Sequence, residues 1–465
     1  MATPYAIKIA PDNTGLWHFS QSEDVANKAT ELLQKDIEKH HVFFNRDGFH
    51  NHISHQILAL YGTGASAEDL ARGYKENESY QRPALKAHSQ ALIEELRDWD
   101  RAKQKLGKEQ YYTDWLHFFQ HETEHLGSWQ KVLAEYMFKP GGDPRSEDML
   151  VRMFAGFMHP LIQLMYGVEW DQPAMVAMAL AQACVHSDQF RDFMLEAEAR
   201  SGDESSTADK TPMPRIKDLL DAAAGDSALR GSPRLDDGNK IRDGVIARAR
   251  DQALKYTSQV RVSAAELEER TAEMYNTAIY MASGAAVHSD PATGVAKDPK
   301  YDFFLMHHVN VCPIFVTLNR QDWIPAELKT RLLEWKIRLD LLQYAARGSP
   351  DLDLAKIANY KPKAPNPGPP AELLPRMHAF VDDGHAIKLF RAVGVGKEVS
   401  RPYEGRDWMP IRGDSWNQVA HMVVDSVEAP GPTWVRNAGF DEAWKEVHNR
   451  KDGNNESERQ GPLYE

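Results

Sequence analysis

Apolar residues recur at helical spacing along most of this chain, and alternating apolar and polar positions are few. Within residues 22–44, Val25, Ala29, Leu32 and Leu33 lie three, four or one position apart, which predicts an amphipathic helix. The same reasoning predicts strongly apolar helices over residues 146–166, 173–198, 301–318 and 326–347. The pattern as a whole predicts an all-α fold.

The stretches between these helices are punctuated by proline, glycine and polar residues, as in the surface loop of residues 201–214. Residues 361–370 are rich in proline and predict a connector, and we find no internal repeat. The organisation predicted is a single large compact helical domain with long loops, covering residues 1–465. Residues 1–20 and 450–465 are predicted to be extended or frayed ends.

Composition narrows the class of protein. Of the 465 residues, 42% are hydrophobic and 26% are charged, as is usual for a globular enzyme. The net charge of −13 argues against nucleic acid as a partner. No apolar window is long enough to cross a membrane, and no secretory signal is apparent. With only two cysteines and no disulfide framework, we expect a cytoplasmic protein.

The count of nineteen histidines is the unusual feature of the composition. Imidazole is a good ligand for iron, copper, nickel and zinc, so histidines on apolar helices that converge would form a metal centre. The candidate ligands are His52, His55, His159, His307 and His385. His186, on another apolar helix, is predicted to orient one of these ligands. A single buried histidine is more often only a hydrogen-bonded core residue.

Lys388 lies three residues after His385, so a helix places the two side chains on one face. The apolar neighbours Ile387, Leu389 and Phe390 predict that this face is partly buried, and a buried ammonium is costly. Lys388 is therefore predicted to be a neutral ligand, a carbamylated ligand, or a cation that faces a phenolate of the substrate. We predict Lys388 and His385 as catalytic residues.

Three further features of the sequence bear on a lysine near the site, on a zinc-protease motif and on nucleotide binding. Lys336 also lies on an apolar helix, but Asp340 offers it a partner one turn away, so we expect it to support the site from outside. His121, Glu122 and His125 match the H-E-x-x-H string of zinc proteases. We expect a solvated helix there, since the intervening residues include a charge. No dinucleotide fingerprint is present; Gly394 begins the nearest match, which lacks the third glycine and follows a helix.

The chain resembles the questin oxidase-like family over about residues 45–425. The matching stretches are Asn51-His52-Ile53-Ser54-His55, Phe118-Phe119-Gln120-His121-Glu122, His159-Pro160-Leu161-Ile162, Ala181-Gln182 with His186-Ser187, Phe304-Leu305-Met306-His307, Lys336 with Asp340-Leu341, Arg347-Gly348-Ser349-Pro350, Asp383-Gly384-His385-Ala386-Ile387-Lys388 and Arg401-Pro402-Tyr403-Glu404. The resemblance implies action on polyketides of fungal secondary metabolism, with opening of the quinone ring of an anthraquinone. Gln163 departs from the family pattern, in which a histidine is expected.

Four hypotheses follow. The first is an oxygenase that uses O₂ to cleave the ring of an aromatic polyketide. Its mononuclear non-haem iron (Fe²⁺) is held mainly by histidine, and a separate reductase prepares the substrate. The alternative is the NADPH-dependent, metal-free Baeyer–Villiger oxidation often described for the family, in which the histidines act as acids and bases. The others are a zinc hydrolase built on His121 and His125, and a helical binding protein without chemistry.

Overall fold

The computed structural model describes residues 1–205, 212–364 and 368–450. Almost all of the predicted frayed end at residues 450–465 lies outside these described residues. The predicted all-α fold is confirmed: the described residues form helices joined by turns and isolated β-bridges, such as that between Asp302 and Val435, and they form no strands. Within the same residues, no helix has the length and apolar character needed to cross a membrane.

The α-helices are α1 Glu23–Lys39, α2 Ile53–Tyr61, α3 Ala67–Asn77, α4 Gln90–Glu95, α5 Trp99–Ala102, α6 Tyr112–Leu126, α7 Trp129–Tyr136, α8 Pro144–Met153, α9 Ala155–Glu169, α10 Pro173–Val185, α11 Arg191–Ser205, α12 Ile216–Gly225, α13 Ser227–Arg230, α14 Ala247–Thr257, α15 Leu267–Gly284, α16 Phe303–Asn310, α17 Pro313–Asn319, α18 Ala326–Ala346, α19 Leu354–Ala358, α20 Leu374–Ala379, α21 His385–Ser400 and α22 Ser415–Glu428. A π-helical segment, Lys240–Ile246, precedes α14.

Residues 1–20 are largely extended, but they are packed rather than frayed. Ile9 is fully buried, and its backbone N–H donates to Oγ1 of Thr30 in α1 at 2.9 Å. Further along, the indole of Trp17 lies against Gly394 of α21, where an added Cβ would meet a ring atom at 2.4 Å. Gly394 therefore allows close packing of Trp17 on α21, which accounts for this glycine without a nucleotide.

Four helices bring the predicted histidines together. Helix α2 packs against α9 and α21, and α16 packs against the same two helices. His52 caps the N-terminus of α2 and His385 is the first residue of α21, while His159 and His307 lie within α9 and α16. This packing directs all four side chains into one buried region.

Candidate metal centre

The imidazoles of four histidines converge in this region, and we call His52, His159, His307 and His385 the histidine cluster. Each of these residues is at most 4% exposed. Nε2 of His52 lies 2.7 Å from Nε2 of His159, and Nε2 of His385 lies 3.2 Å from Nε2 of His307. Ring nitrogens of His52, His159 and His385 lie within 4.8 Å of one another, close enough to hold one metal ion.

Backbone carbonyls fix the tautomers of two of these rings. Nδ1 of His159 lies 2.6 Å from the carbonyl oxygen of Gly156, and Nδ1 of His307 lies 2.6 Å from that of Phe303. Because a carbonyl oxygen can only accept, both Nδ1 atoms carry the proton and donate it. Nε2 of each ring is then left with a free lone pair in the neutral imidazole.

One carboxylate fixes the other two rings. Oδ2 of Asp383 lies 3.0 Å from Nδ1 of His52, and Oδ1 of Asp383 lies 2.5 Å from Nδ1 of His385. An ionised carboxylate accepts only. Burial raises the pKa of Asp383, but the interactions with His385 and His52, including the hydrogen bonds that their rings donate, hold it well below its usual range. Both histidines therefore donate from Nδ1, and Asp383 acts as a positioning residue for the pair.

The Nε2 atoms of His52 and His159, and those of His385 and His307, consequently face each other in pairs without a proton between them. Burial lowers the pKa of each ring, to about 3 for His52, His307 and His385 and well below the usual value for His159, so all four are neutral at physiological pH. Lone pairs at 2.7 Å repel unless an electrophile lies between them. Neutral imidazoles whose outer nitrogens donate to carbonyls or carboxylates are the usual ligands of divalent transition metals.

A left-handed turn presents His159 to the cluster. Gly156, Phe157 and Met158 have φ angles of 53°, 56° and 63°, and regular helix resumes at His159. The left-handed conformation is strained for Phe157 and Met158, whose side chains crowd the backbone. The turn places the Gly156 carbonyl beneath Nδ1 of His159. Gly156 itself is needed for space, since an added Cβ would meet Cε1 of His186 at 2.2 Å.

Lys388 is buried beside the cluster, and its Nζ has no hydrogen-bond partner among the described residues. Burial lowers the pKa of Lys388 to about 8, despite the opposing charges of Asp383 and Asp382. Asp382, rather than Asp383, caps α21, because its carboxylate accepts from the N–H groups of Gly384 and Ala386, each at 2.8 Å. An unpartnered, buried amine next to four free lone pairs is available to a ligand or substrate.

His55 departs from the predicted ligand set. Its Nε2 lies 2.7 Å from Oε1 of Gln163, which also accepts from the Ser54 hydroxyl at 3.1 Å. Since an amide oxygen only accepts, Nε2 of His55 carries the proton and has no lone pair to offer. Gln163, the residue that departs from the family pattern, thus occupies Nε2 of His55, and the Nδ1 of that ring has no partner within the described residues.

His186, predicted to orient a ligand, contacts a histidine that the prediction omitted. Its Nε2 lies 3.0 Å from Nε2 of His50, and the His50 ring stacks on His159 with a 3.9 Å centroid separation. His186 therefore reaches the cluster only through His50. The signal for His50 was its place in the histidine-rich run that includes His52 and His55. The signal for Asp383 was its place as an acidic residue two positions before His385.

Lys336 pairs with Asp340, the partner that their spacing indicated. Its Nζ donates to Oδ2 of Asp340 at 2.6 Å, and Nδ1 of His308 donates to Oδ1 of the same carboxylate at 2.5 Å. Lys336 does not contact any member of the histidine cluster through a hydrogen bond in the described residues. Its link to the cluster runs through His308, the neighbour of His307 on α16.

The protease-like string does not form a metal site in the described residues. His125 is exposed and His121 is half-buried, whereas the Glu122 between them is buried. Oε1 of Glu122 accepts from Arg97 and Oε2 accepts from the Tyr136 hydroxyl, at 2.9 and 2.8 Å. Glu122 therefore joins α6 to its neighbours. The expectation of a solvated helix is wrong for α6, because most of its residues are buried in the core, although His125 itself is exposed.

A sequence profile described as questin oxidase-like matches residues 49–393 of this chain. The chain belongs to the questin oxidase-like family. The matched region spans His50 through Lys388, so it contains the whole histidine cluster together with Asp383.

Relatives match over nearly their whole length. The Baeyer-Villiger oxidase ptaJ of Pestalotiopsis fici is 34% identical over 454 residues, which cover 96% of this chain and 99% of the relative. The questin oxidase of Aspergillus terreus is 33% identical over 455 residues, covering 96% and 98%. The Baeyer-Villiger monooxygenase AacuH of Aspergillus aculeatus is 34% identical, with 91% of each chain covered. The family resemblance seen in the sequence is confirmed.

Proposed function

We propose that this protein is an oxidoreductase that uses O₂ to open the quinone ring of an anthraquinone-type polyketide. Relatives named questin oxidase and Baeyer-Villiger oxidase support oxygen insertion beside a ring carbonyl. Such an insertion converts the ring ketone into a ring-expanded lactone. Hydrolysis of that ester by water then opens the ring to a benzophenone-type acid. The substrate class rests on the family, and the finer chemistry rests on the histidine cluster.

The metal hypothesis rests on the unprotonated Nε2 atoms of the histidine cluster, whose lone pairs are free to bind a metal. Four outer nitrogens are committed as donors, to two backbone carbonyls and to the Asp383 carboxylate. A metal ion stabilises this arrangement because it accepts the lone pairs that otherwise repel. These donors fit a divalent transition metal, and we infer that the four histidines of the cluster are its ligands.

The chemistry excludes zinc among the metals that imidazole binds, and we propose iron among the redox-active ones. Zinc has no redox chemistry, whereas the proposed reaction uses O₂. Ferrous iron held by neutral histidines, when bound, supplies one-electron reactivity towards O₂. The histidines hold the metal, and Asp383 keeps His52 and His385 in the ligating tautomer. An electron-rich hydroxylated substrate supplies electrons to the reaction, and a separate reductase that prepares it stays a prediction.

Lys388 completes the proposed site in one of the ways that its chemistry allows. As an ammonium it has no lone pair, so it cannot be a ligand. A neutral amine, or a carbamate formed with CO₂, would present a donor to the metal, and the carbamate would offset part of its charge. If it stays protonated, the amine stabilises a phenolate or the oxyanion that develops on the ring carbonyl. Its buried and unpartnered Nζ supports each of these roles.

The alternative is the NADPH-dependent, metal-free Baeyer–Villiger oxidase. Its support lies in the names of the relatives, which describe that reaction and mention no metal. In that case the lowered pKa values of His52 and His385 leave both rings unprotonated at neutral pH and so free to accept a proton, and NADPH supplies the electrons. The described residues form no sheet of the kind that carries the glycine-rich dinucleotide turn.

Elemental analysis of the purified protein, followed by chelation and metal add-back under O₂, separates these proposals. For the iron oxygenase we expect about one equivalent of iron per chain, loss of turnover after chelation, and recovery with Fe²⁺ but not with Zn²⁺. Turnover of a metal-free sample that depends on NADPH would contradict the metal proposal and support the alternative.

A further inference from the structure

Half-exposed aromatic rings lie against one side of the histidine cluster. The Phe303 ring is 4.8 Å from the His307 ring and 5.3 Å from the His385 ring, measured between centroids. Trp434 lies 6.2 Å from His385. We call Phe157, Phe303, Phe304 and Trp434 the aromatic mouth, because they lie between the buried cluster and the surface.

Phe157 is the outermost of these rings and is 42% exposed. Its ring centroid is 5.0 Å from that of Phe304 and 6.1 Å from that of His307. A large apolar side chain exposed on a strained left-handed residue has no evident stabilising role, and such features are commonly functional. Rotation about its side-chain bonds would open the mouth without moving the helices.

Two backbone hydrogen bonds hold the rest of the mouth in place. The N–H of Phe303 donates to the carbonyl of Val435 at 2.8 Å, and the N–H of Val435 donates to the carbonyl of Tyr301 at 3.1 Å. Because side chains alternate along extended backbone, Trp434 and Arg436 share the face opposite to buried Val435. Both are thereby presented beside Phe303.

Cations border these rings, although the protein carries a net charge of −13. The guanidinium carbon of exposed Arg436 lies 5.0 Å from the centre of the Phe303 ring. Among the described residues, no carboxylate lies within 4.0 Å of Arg436, so its charge is not neutralised by an ion pair there. The guanidinium of Arg347, which is buried, lies 4.1 Å from the Phe304 centroid, and its Nε has no partner.

We propose that the aromatic mouth, with Arg436 at its rim, binds the planar ring system of an acidic hydroxylated aromatic substrate. Aromatic faces favour a planar ring, and Arg436 pairs with an ionised phenol or enol oxygen, since guanidinium recognises oxyanions. Phe303 then directs the bound ring towards His307 and His385. This assignment rests on the proposed ring-opening function, because it names the surface that receives that substrate.

Direct binding of two probes tests the assignment without requiring turnover. Anthraquinone-2-carboxylate carries a permanent negative charge, and 2-(hydroxymethyl)anthraquinone is a neutral ring of similar shape. Each is titrated into the whole protein by calorimetry, both as purified and after removal of metal. Binding that survives metal removal stands even if the iron proposal fails, and loss of binding at the mouth would not affect the metal measurement.

Arg436→Gln is expected to weaken binding of the carboxylate probe about fivefold, because the lost ion pair contributes about 1 kcal/mol. Binding of the neutral probe should change less than about twofold. The control Lys397→Gln removes one exposed charge about 18 Å along α21 from His385 and should change neither affinity. Equal weakening of both probes by Arg436→Gln, or no weakening of either, would contradict the proposed ion pair.

Phe157→Asn removes the outer ring and inserts a residue that tolerates left-handed backbone. Both probes should bind about tenfold more weakly, since an aromatic contact of about 1.4 kcal/mol is lost, while the melting temperature is unchanged or higher. Phe304→Leu keeps an apolar side chain on α16 and provides a second test should Phe157→Asn fold poorly. Full affinity of the neutral probe in a folded variant would overturn the aromatic mouth.

Discussion

Helix α6 and the histidine cluster both combine histidines with a carboxylate, buried for Glu122 and half-buried for Asp383, but they arrange them in opposite ways. On α6, one helix supplies His121 and His125, which face outward, and the carboxylate of Glu122 is used up by Arg97 and Tyr136. In the cluster, four helices supply one histidine each, and Asp383 donates no proton but orders two rings. On α6, spacing along one helix only places side chains next to one another. In the cluster, rings from four helices converge with their Nδ1 protons already donated, which leaves their Nε2 atoms free to bind a metal.

The largest effect expected from this comparison is on metal content. His159→Ala removes the Nε2 lone pair that lies 2.7 Å from Nε2 of His52, and so removes one of the proposed metal ligands. Loss of a residue that only orients a ligand costs up to about 100-fold in metal affinity or activity. Loss of the ligand itself should lower iron content and turnover by more than that. Inductively coupled plasma analysis and an O₂-uptake assay measure the two effects.

The matched control for that change is His125→Ala on α6, which removes an exposed histidine from the protease-like string. Metal content and turnover should remain at the level of the unaltered protein. Loss of metal from His125→Ala, or its retention in His159→Ala, would reverse the roles that we assign to the two regions.

Two buried lysines extend the comparison. Lys336 is paired with Asp340, whereas Lys388 has no partner. Lys388→Met should abolish turnover but leave the metal-free protein as stable or more stable, because an unpaired buried amine is replaced by an apolar chain. Lys336→Met should lower the free energy of unfolding by about 3–5 kcal/mol, since it leaves Asp340 without its cation. Urea unfolding and activity are the measurements.

The metal content of the Lys388 variants distinguishes its three roles. If the lysine is a carbamylated ligand, Lys388→Met loses metal, while Lys388→Glu retains some because it restores a carboxylate. Unchanged metal in Lys388→Met, together with weaker substrate binding, would exclude the ligand role and leave the role of a substrate-binding cation.

These differences show what could be predicted from the sequence. Helical periodicity and histidines on apolar helices were sufficient for the all-α fold and for naming His159, His307 and His385 as candidates. The rotation of each ring was not predictable, because it depends on partners distant in sequence: Gln163 captures Nε2 of His55, 108 residues away. The left-handed turn at Gly156 also left no periodic signal, since helical pattern resumes directly at His159.

Asp383→Asn tests the positioning role with a nearly isosteric change. An amide has one accepting oxygen and one donating nitrogen, so it can accept from His52 or His385 but not from both. The ring that faces the NH₂ group must place its proton on Nε2, which blocks that ligand. Metal affinity should fall about 10- to 100-fold, whereas circular dichroism should stay unchanged. Equal affinity for Co²⁺ in the two proteins, measured by its absorption spectrum, would show that Asp383 does not order the rings.

The smallest effect contrasts two left-handed glycines, one in each region. Gly127 ends α6 with φ of +86° and has open space around an added Cβ, whereas Gly156 has φ of +53° and His186 at 2.2 Å from that position. Alanine in left-handed backbone costs about 1–2 kcal/mol in either place. Gly156→Ala should cost about 1–3 kcal/mol more, because the added methyl must displace the His186 ring or shift the turn. Denaturant unfolding measures both costs.

Since His186 contacts His50, and His50 stacks on His159, Gly156→Ala should also weaken metal binding, while Gly127→Ala should leave it intact. Equal unfolding costs and equal metal affinities in the two variants would mean that the turn does not support the cluster.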